Sequence, residues 1–209
     1  MSVLLAQQLV CEKSDRQLFS DINIELSSGQ LLYVTGENGA GKTSLLRILV
    51  GLSAPASGKV HINGFDIHKD MPSASQGLLY FGHKQGISQL LSALENLQFW
   101  CQQHDVKATE EAINGVLAEL GLTGLEDIAV KNLSAGQQRR VALAKLWLQQ
   151  DASLWVLDEP FTALDVHLIA ELEAKITLFL KSGGTVVMTS HQKLSIDYPI
   201  SNLHLDYSW

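Results

Sequence analysis

Long apolar segments and basic charge are both scarce in this chain of 209 residues. Its longest apolar stretches, such as residues 45–52, contain polar or charged side chains and are well short of the roughly 20 residues that a membrane-spanning helix needs. The formal net charge of −7 argues against broad attraction to nucleic-acid phosphates or to anionic lipid headgroups. We therefore expect no nucleic-acid partner, and any role at a membrane would come through a partner protein.

Cysteine is also rare, and the two that occur, Cys11 and Cys101, match neither a zinc-binding spacing nor a redox pair. Both are expected to be reduced thiols with structural roles. The chain lacks low-complexity tracts, a repeat of fixed period and a long linker rich in proline and glycine. Because 46% of its residues are hydrophobic, it can bury a substantial core, and one domain over residues 1–209 is predicted.

Hydrophobic periodicity divides the chain into alternating β-rich and helical segments, which is typical of βαβ units around a largely parallel sheet. Strands are predicted at residues 31–35, 154–157 and 185–189. Further helical patterns replace the β-rich segments in the middle of the chain, where Thr109 is placed to cap a helix that Gly121 ends. The sequence therefore predicts an α/β fold with a helical lobe, at about residues 85–145, inserted in the sheet.

The residues after the first predicted strand match the G-x-x-x-x-G-K-[ST] pattern of a phosphate-binding loop, in the strand-to-helix context that such a loop requires. Backbone N–H groups of the loop would surround the β-phosphate, Lys42 would reach the β- and γ-phosphates, and Thr43 would ligate Mg²⁺. An ordinary strand-to-helix turn would produce this pattern by chance in about one chain of this length in a hundred. The predicted nucleotide-binding residues are Gly36, Glu37, Asn38, Gly39, Ala40, Gly41, Lys42, Thr43 and Ser44.

Two carboxylates, Asp158 and Glu159, follow the second predicted strand. Because neighbouring strand residues point to opposite sides, the two acids are predicted to have different roles. Asp158 is placed to hold the shell of a Mg²⁺ ion through water, and Glu159 to orient or deprotonate an attacking water molecule. Alone, the pair would usually be a solvated strand end. The phosphate-binding loop upstream favours the functional interpretation.

A third segment distinguishes this chain from other phosphate-loop enzymes. It consists of Leu133, Ser134, Ala135, Gly136 and Gln137, and the sequence Gln-Arg-Arg follows it. Ser134 and Gly136 would open a helix, so that a hydroxyl group, backbone N–H groups and the helix dipole could all face an anion. Taken alone, this would be a serine-capped amphipathic helix. Its position just before the acidic strand favours a functional role.

Two shorter patterns complete the series. Residues 161–165 come directly after Pro160 and end at Asp165, and His191 follows the strand predicted at 185–189. A histidine at a strand end can donate a hydrogen bond to a γ-phosphate, although a lone histidine there is more often a surface residue. The five patterns in this order make the functional interpretation the stronger one.

These five patterns resemble those of ATP-binding cassette ATPases, with Ala135 where glycine is commoner. The resemblance implies a P-loop NTPase core with a mainly parallel sheet, an antiparallel β subdomain and an inserted helical lobe, and it implies ATP and Mg²⁺ as cofactors. It also implies a head-to-tail dimer that forms with ATP, in which residues 133–137 act in trans on the phosphate loop of the other copy. Asp165 would belong to the D-loop, and His191 would be the switch histidine that acts with the catalytic Glu159.

The chain departs from the broad cassette pattern at two places. His83 stands where most members carry the Q-loop glutamine that touches Mg²⁺, so we assign it to the metal site with Thr43 and Asp158. No aromatic residue stands where the family stacks adenine, and the sequence Cys-Glu-Lys-Ser occupies residues 11–14 instead. Lys13 or Arg16 could replace that aromatic by cation–π stacking.

Several less specific segments, at residues 79–86, 94–100 and 188–192, resemble the ATP-binding subunits of the haem exporters used in bacterial cytochrome c maturation. This resemblance implies an ATPase that binds integral membrane subunits at the cytoplasmic face of the inner membrane and energises haem export or the release of a haem chaperone. The alternatives are an ATPase subunit of another small-molecule exporter and a soluble cassette ATPase without a transport role, which the acidic charge disfavours where nucleic acid is the target. A nucleotide switch that does not hydrolyse ATP ranks last, because Glu159 is present.

Overall fold

The structure is a computed structural model that describes residues 2–13, 16–190 and 195–206. The chain divides into two compact units. We call the first, residues 1–82, 152–160 and 173–209, the sheet unit, and the second, residues 83–151 and 161–172, the helical unit. The prediction of one domain over residues 1–209, with a lobe at about 85–145, stays a prediction.

Five strands described in the sheet unit form a parallel sheet in the order β6-β7-β8-β3-β9. They are β3 (Leu31–Gly36), β6 (Leu78–Phe81), β7 (Leu154–Asp158), β8 (Thr185–Thr189) and β9 (Ile200–Leu205). Strands β7 and β8 are buried at every position, as expected for central strands of a sheet that is covered on both faces. Their carboxyl ends lie side by side, with Asp158 opposite Thr189.

An antiparallel sheet in the order β2-β1-β4-β5 forms a second layer of the sheet unit. Its strands are β1 (Ser2–Lys13), β2 (Arg16–Ser27), β4 (Ser57–Ile62) and β5 (Phe65–Asp66), and the unit also contains helices α1 (Lys42–Leu49) and α2 (Met71–Ala74). Leu4 and Leu9 of β1 belong to the same buried cluster as Leu45 and Leu49 of α1 and Val156 of β7. Helix α1 therefore packs in the hydrophobic core directly after the phosphate-binding loop.

The helical unit is built from short helices whose starts are marked by polar side chains. They are α3 (Ala93–Gln103), α4 (Glu110–Glu119), a 3₁₀ turn (Val130–Asn132), α5 (Ala135–Leu143) and α6 (Lys145–Leu148), while α7 (Val166–Lys181) has residues in both units. Ser92 and Ser134 each form a capping box, and the Thr109 hydroxyl accepts a hydrogen bond from Ala112 N. Gly121, at φ +69°, follows the end of α4. The cap and the stop predicted for this helix are thus confirmed.

The predicted fold class is confirmed, because a parallel sheet, an antiparallel sheet and a helical unit are all present. The predicted strand at 185–189 matches β8, and the other two predicted strands each end one residue early. Within the described ranges, every helix is too short or too polar to cross a membrane.

Candidate functional site

The phosphate-binding loop joins the end of β3 to the start of α1. Gly36, Gly39 and Gly41 have φ values of 146°, 88° and 98°, a region that side chains disfavour. A Cβ atom at Gly36 would lie 2.5 Å from the carbonyl oxygen of Leu205. The N–H of Leu45 already donates to the Gly41 carbonyl, at 2.8 Å, so the first helical turn closes on the loop. The loop thus leads directly into a helix N-terminus, which attracts anions.

Lys42 lies against the backbone of this loop. Its ammonium group donates hydrogen bonds to the carbonyl oxygens of Gly36, at 2.7 Å, and Glu37, at 3.1 Å. Neutral carbonyl groups are weaker partners for an ammonium ion than phosphate oxygens are. Among the other loop residues, Ala40 is buried and Ser44 is half-buried, whereas Glu37, Asn38, Gly39 and Thr43 are exposed.

Asp158 ends β7 with only 1% of its surface exposed. Its Oδ1 atom accepts a hydrogen bond of 2.8 Å from the hydroxyl of Thr189. Its Oδ2 atom is buried and has no hydrogen-bond partner among the residues that the structure describes. A buried carboxylate oxygen without a partner is costly, and a Mg²⁺ ion with its water shell would satisfy it. The donor set therefore fits a hard divalent cation.

Glu159 has a backbone conformation that the sequence did not predict. The strand ends at Asp158, and Glu159 adopts φ +52°. Alternation along a strand is therefore the wrong reason for predicting different roles for the two acids. The left-handed conformation costs an L-residue about 1–2 kcal/mol and turns the chain away from the strand direction. The Glu159 N–H donates to the Thr189 hydroxyl oxygen at 3.0 Å, which helps to hold this conformation.

Tyr33 contributes a further polar group to the same end of the sheet. Its hydroxyl donates to the carbonyl oxygen of Ser190 at 2.7 Å. Burial raises the pKa of this phenol, the hydrogen bond to Ser190 lowers it, and the negative charge of Glu159 raises it further. The residue that precedes His191 is therefore anchored to β3, while His191 itself lies outside the described residues.

In the helical unit, residues 133–137 form the start of α5. The Ser134 hydroxyl accepts from the N–H of Gln137 at 3.2 Å, and the Gln137 side chain accepts from the N–H of Ser134 at 2.8 Å. Leu133 is buried, Ser134 and Ala135 are exposed, and Gly136 and Gln137 are half-buried. The predicted opening of a helix by Ser134 is confirmed, and this helix start faces solvent.

Asp165 lies beside this segment in the same unit. Its carboxylate accepts a hydrogen bond of 3.0 Å from Leu168 N and forms an ion pair with Arg140, which also donates to the carbonyl oxygen of Leu120 at 2.9 Å. The hydrogen bond from Leu168, followed by the charge of Arg140, holds the pKa of Asp165 below its usual value. A cavity of about 360 Å³ is lined in part by Ser134, Gly136, Arg140 and Asp165. The structure thus brings the segment at residues 133–137 and the segment that ends at Asp165 to one surface.

Two groups were missed by the sequence analysis. Thr189 was predicted only as the end of a strand, because no local pattern places its hydroxyl beside Asp158, 31 positions away. Lys145 is buried, and its ammonium group donates to the carbonyl oxygens of Gln85, at 3.2 Å, and Gly86, at 3.0 Å. Burial lowers the pKa of Lys145 to about 8. No local sequence pattern indicates that this lysine is buried.

The three residues predicted for the metal site are not all found in the same unit. His83 is exposed and belongs to the helical unit, whereas Thr43 and Asp158 belong to the sheet unit, so the assignment of His83 to a metal site stays a prediction. Within residues 2–13, 16–190 and 195–206, no group of three or more His, Cys, Asp or Glu side chains could by itself hold a metal. Cys11 and Cys101 are free and buried, as expected.

A phosphate-binding loop between a parallel strand and a helix, with a buried acid at the end of another strand of that sheet, defines the class of P-loop nucleotide hydrolases. The family model described as ABC transporter matches residues 19–162. The chain belongs to this family, and it is accordingly an ATP-binding cassette ATPase.

Curated relatives and solved structures agree with this assignment. The cytochrome c biogenesis ATP-binding export protein CcmA of Escherichia coli K12 is 48% identical over 196 residues, which are 94% of this chain and 92% of the relative. The protein of the same name from Shigella sonnei is 47% identical over the same shares. An ATP-binding protein described as part of an ABC transporter of Pyrococcus furiosus is 25% identical, with a TM-score of 0.81 over 97% of this chain and 96% of its own.

A further solved structure supports the fold alone. It is the dimeric post-hydrolysis state of the ATP-binding cassette MJ0796 with ADP and Pi, which is 20% identical to this chain. The TM-score is 0.84, over 99% of this chain and 97% of that one. The predicted cassette fold is therefore confirmed.

Proposed function

We propose that this chain is the ATP-hydrolysing subunit of a membrane transporter that energises haem export, or the release of a haem chaperone, during the biogenesis of c-type cytochromes. The observation that carries this proposal is the similarity to CcmA over 94% of the chain. CcmA is described as an export protein of cytochrome c biogenesis, and the sequence resemblance to haem-exporter subunits adds the substrate.

Residues 36–44 would hold the nucleotide. In this proposal Lys42 exchanges the Gly36 and Glu37 carbonyl groups for the β- and γ-phosphates, since charged oxygens are its stronger partners. Thr43 and Asp158 would hold Mg²⁺, with His83 as a further donor at that site. The unpartnered Oδ2 atom of Asp158 supports this assignment. When bound, Mg²⁺ neutralises negative charge on the phosphate oxygens.

Glu159 would act as the general base. Its carboxylate would accept a proton from water as the water oxygen forms a bond to the γ-phosphorus, and the bond from that phosphorus to the bridging oxygen breaks to leave ADP and phosphate. His191 would donate a hydrogen bond to the γ-phosphate. The left-handed backbone at Glu159 supports this role, because strained conformations cluster at active sites.

The signature residues 133–137 and the D-loop residue Asp165 would serve a second copy of the chain in a head-to-tail dimer. The exposed helix start at Ser134 and the cavity beside it support this, since both could receive phosphate groups from another molecule. Integral membrane subunits would bind near His83 on the helical unit. They would place the chain peripherally at the cytoplasmic face of the bacterial inner membrane, as one functional domain with no nucleic-acid partner.

The proposal is tested in cells that depend on this chain for c-type cytochromes. Lys42→Ala or Glu159→Gln should leave the assembly of the membrane complex intact and abolish mature c-type cytochromes, because partner binding does not use these side chains. Haem staining of periplasmic proteins and co-purification of the membrane subunits measure the two effects in the same cells. The exposed Glu171→Gln on α7 is the matched control. Normal haem attachment with a hydrolysis-dead chain would exclude the haem role and spare the ATPase assignment.

A further inference from the structure

The hydroxyl group of Thr189 connects the two acids of the candidate site. Thr189 ends β8 with 0% of its surface exposed, and it pairs with Asp158 at the end of β7. Its hydroxyl donates to Asp158 Oδ1 at 2.8 Å and accepts from the backbone N–H of Glu159 at 3.0 Å. One buried oxygen atom therefore contacts both consecutive residues that the proposed function uses.

These two hydrogen bonds constrain the acids in different ways. A hydroxyl group has one proton, and here that proton is committed to Oδ1 of Asp158. The carboxylate is thereby held in the rotation that leaves Oδ2 as its unpartnered atom. The bond from the Glu159 N–H supports the left-handed conformation, φ +52°, from which the side chain of Glu159 departs. A one-residue shift of either strand end would break both bonds.

The strand end that carries Thr189 is itself anchored. On its far side from β7, β8 pairs with β3, and Tyr33 of β3 donates to the carbonyl oxygen of the next residue, Ser190, at 2.7 Å. Threonine hydroxyl groups commonly bond a nearby backbone carbonyl, as the half-buried Thr177 does with Glu173 at 2.8 Å. The buried Thr189 instead bonds two groups at and just after the end of a neighbouring strand, 30 and 31 positions away.

We propose that Thr189 is a positioning residue for ATP hydrolysis, whose hydroxyl orients the Asp158 carboxylate toward the metal ion and sets the backbone from which Glu159 reaches water. This inference rests on the proposed function of the two acids. Partners that orient a metal ligand from behind typically contribute about 10–100-fold to metal affinity or activity. In this role Thr189 acts through Asp158 and Glu159 and would not itself contact nucleotide or metal.

The test compares Thr189→Val, which keeps the shape and removes the hydroxyl, with Thr189→Ser, which keeps the hydroxyl. For Thr189→Val we expect kcat to fall about 10–100-fold. We also expect the half-saturating Mn²⁺ concentration, measured by electron paramagnetic resonance in the presence of AMP-PNP, to rise several-fold. Affinity for metal-free ATP should not change. Thr189→Ser should keep the wild-type kcat and half-saturating Mn²⁺ concentration. Thr177→Val controls for the loss of a threonine hydroxyl elsewhere in the sheet unit.

A merely structural hydroxyl would lower the melting temperature and the folded fraction, but it would leave kcat per folded molecule and the Mn²⁺ titration unchanged. That result would overturn the inference. Should Thr189→Val not fold, Thr189→Ala also removes the hydroxyl group, and a wild-type Mn²⁺ titration and kcat for its folded fraction would overturn the inference equally. Asp158→Asn and Glu159→Gln are measured alongside. If they hydrolyse ATP normally the proposed function fails, whereas if only Thr189→Val is normal the role of Thr189 alone fails.

Discussion

The two units present their functional groups in opposite ways. In the sheet unit, Asp158 and Thr189 are 1% and 0% exposed, and their hydrogen bonds run to each other and to the backbone of Glu159. In the helical unit, Ser134 is exposed and half of the Asp165 side chain is accessible. The first arrangement orients a carboxylate inside the fold, while the second leaves a helix start accessible to solvent.

This difference predicts where substitutions are costly. Removing one partner of a buried polar pair leaves the other without a hydrogen bond and costs its desolvation energy. The ion pair between Arg140 and the accessible Asp165 carboxylate is screened by water and contributes little to stability. Stability should therefore depend strongly on polar groups in the sheet unit, whereas the polar surface of the helical unit should affect function more than folding.

The largest effect is expected at the proposed base. Glu159→Gln keeps the shape of the side chain and removes its ability to accept a proton, so hydrolysis should fall by about 10²–10⁴-fold. ATP binding should persist, and an ATP-bound dimer should accumulate and be visible by size-exclusion chromatography. Glu171→Gln should behave as wild type. Turnover by Glu159→Gln at the wild-type rate would show that another acid is the base.

Lys145 offers a test of burial in the helical unit. Its pKa is lowered from 10.5 to about 8 by burial, so between these pH values the unfolded chain binds more protons than the folded chain. The free energy of unfolding should therefore rise with pH across this range, by on the order of 3 kcal/mol. Lys145→Met should abolish that rise, which urea titrations at pH 7, 9 and 11 would measure. An identical pH dependence in both proteins would mean that Lys145 is not desolvated.

Two glycine-to-alanine changes should have opposite signs in the two units. Gly36→Ala places a Cβ atom 2.5 Å from the carbonyl oxygen of Leu205 at a φ of +146°, and it should destabilise the chain by about 1–3 kcal/mol. Gly115 lies exposed inside α4, with nothing within 4 Å of an added Cβ. Gly115→Ala should therefore stabilise the chain by about 0.5–1 kcal/mol. Denaturant unfolding compares the two variants, and equal effects would contradict the structure of the loop.

The last comparison, of two helix caps, is the sharpest test of the exposed helix start. Ser134→Ala and Thr109→Ala each remove a side-chain cap in the helical unit and should cost about 1 kcal/mol. Only Ser134→Ala should lower ATP turnover by the dimer, because Thr109 is no part of the signature. Equal turnover in the two variants, measured at saturating protein, would argue that Ser134 acts only as a cap.

Local patterns were sufficient for much of the fold. Apolar segments bounded by glycine and polar residues predicted the strands that begin at Leu31, Leu154 and Thr185, and Thr109 and Gly121 marked the ends of α4. These features depend on residues a few positions apart, so the sequence alone contains them. The identity of the phosphate-binding loop has the same origin, since its spacing is local. The roles of the candidate residues stay proposals.

Other features depend on which strands become neighbours. Thr189 meets Asp158 only because β8 lies beside β7 in the sheet, which no local pattern specifies for residues 31 positions apart. Lys145 becomes buried only when α6 packs within the helical unit, and the Glu159 N–H reaches Thr189 only when β7 and β8 lie side by side. Short-range geometry is set by nearby residues, whereas these contacts are long-range hydrogen bonds and burial that exist only after the sheet and the helices have assembled.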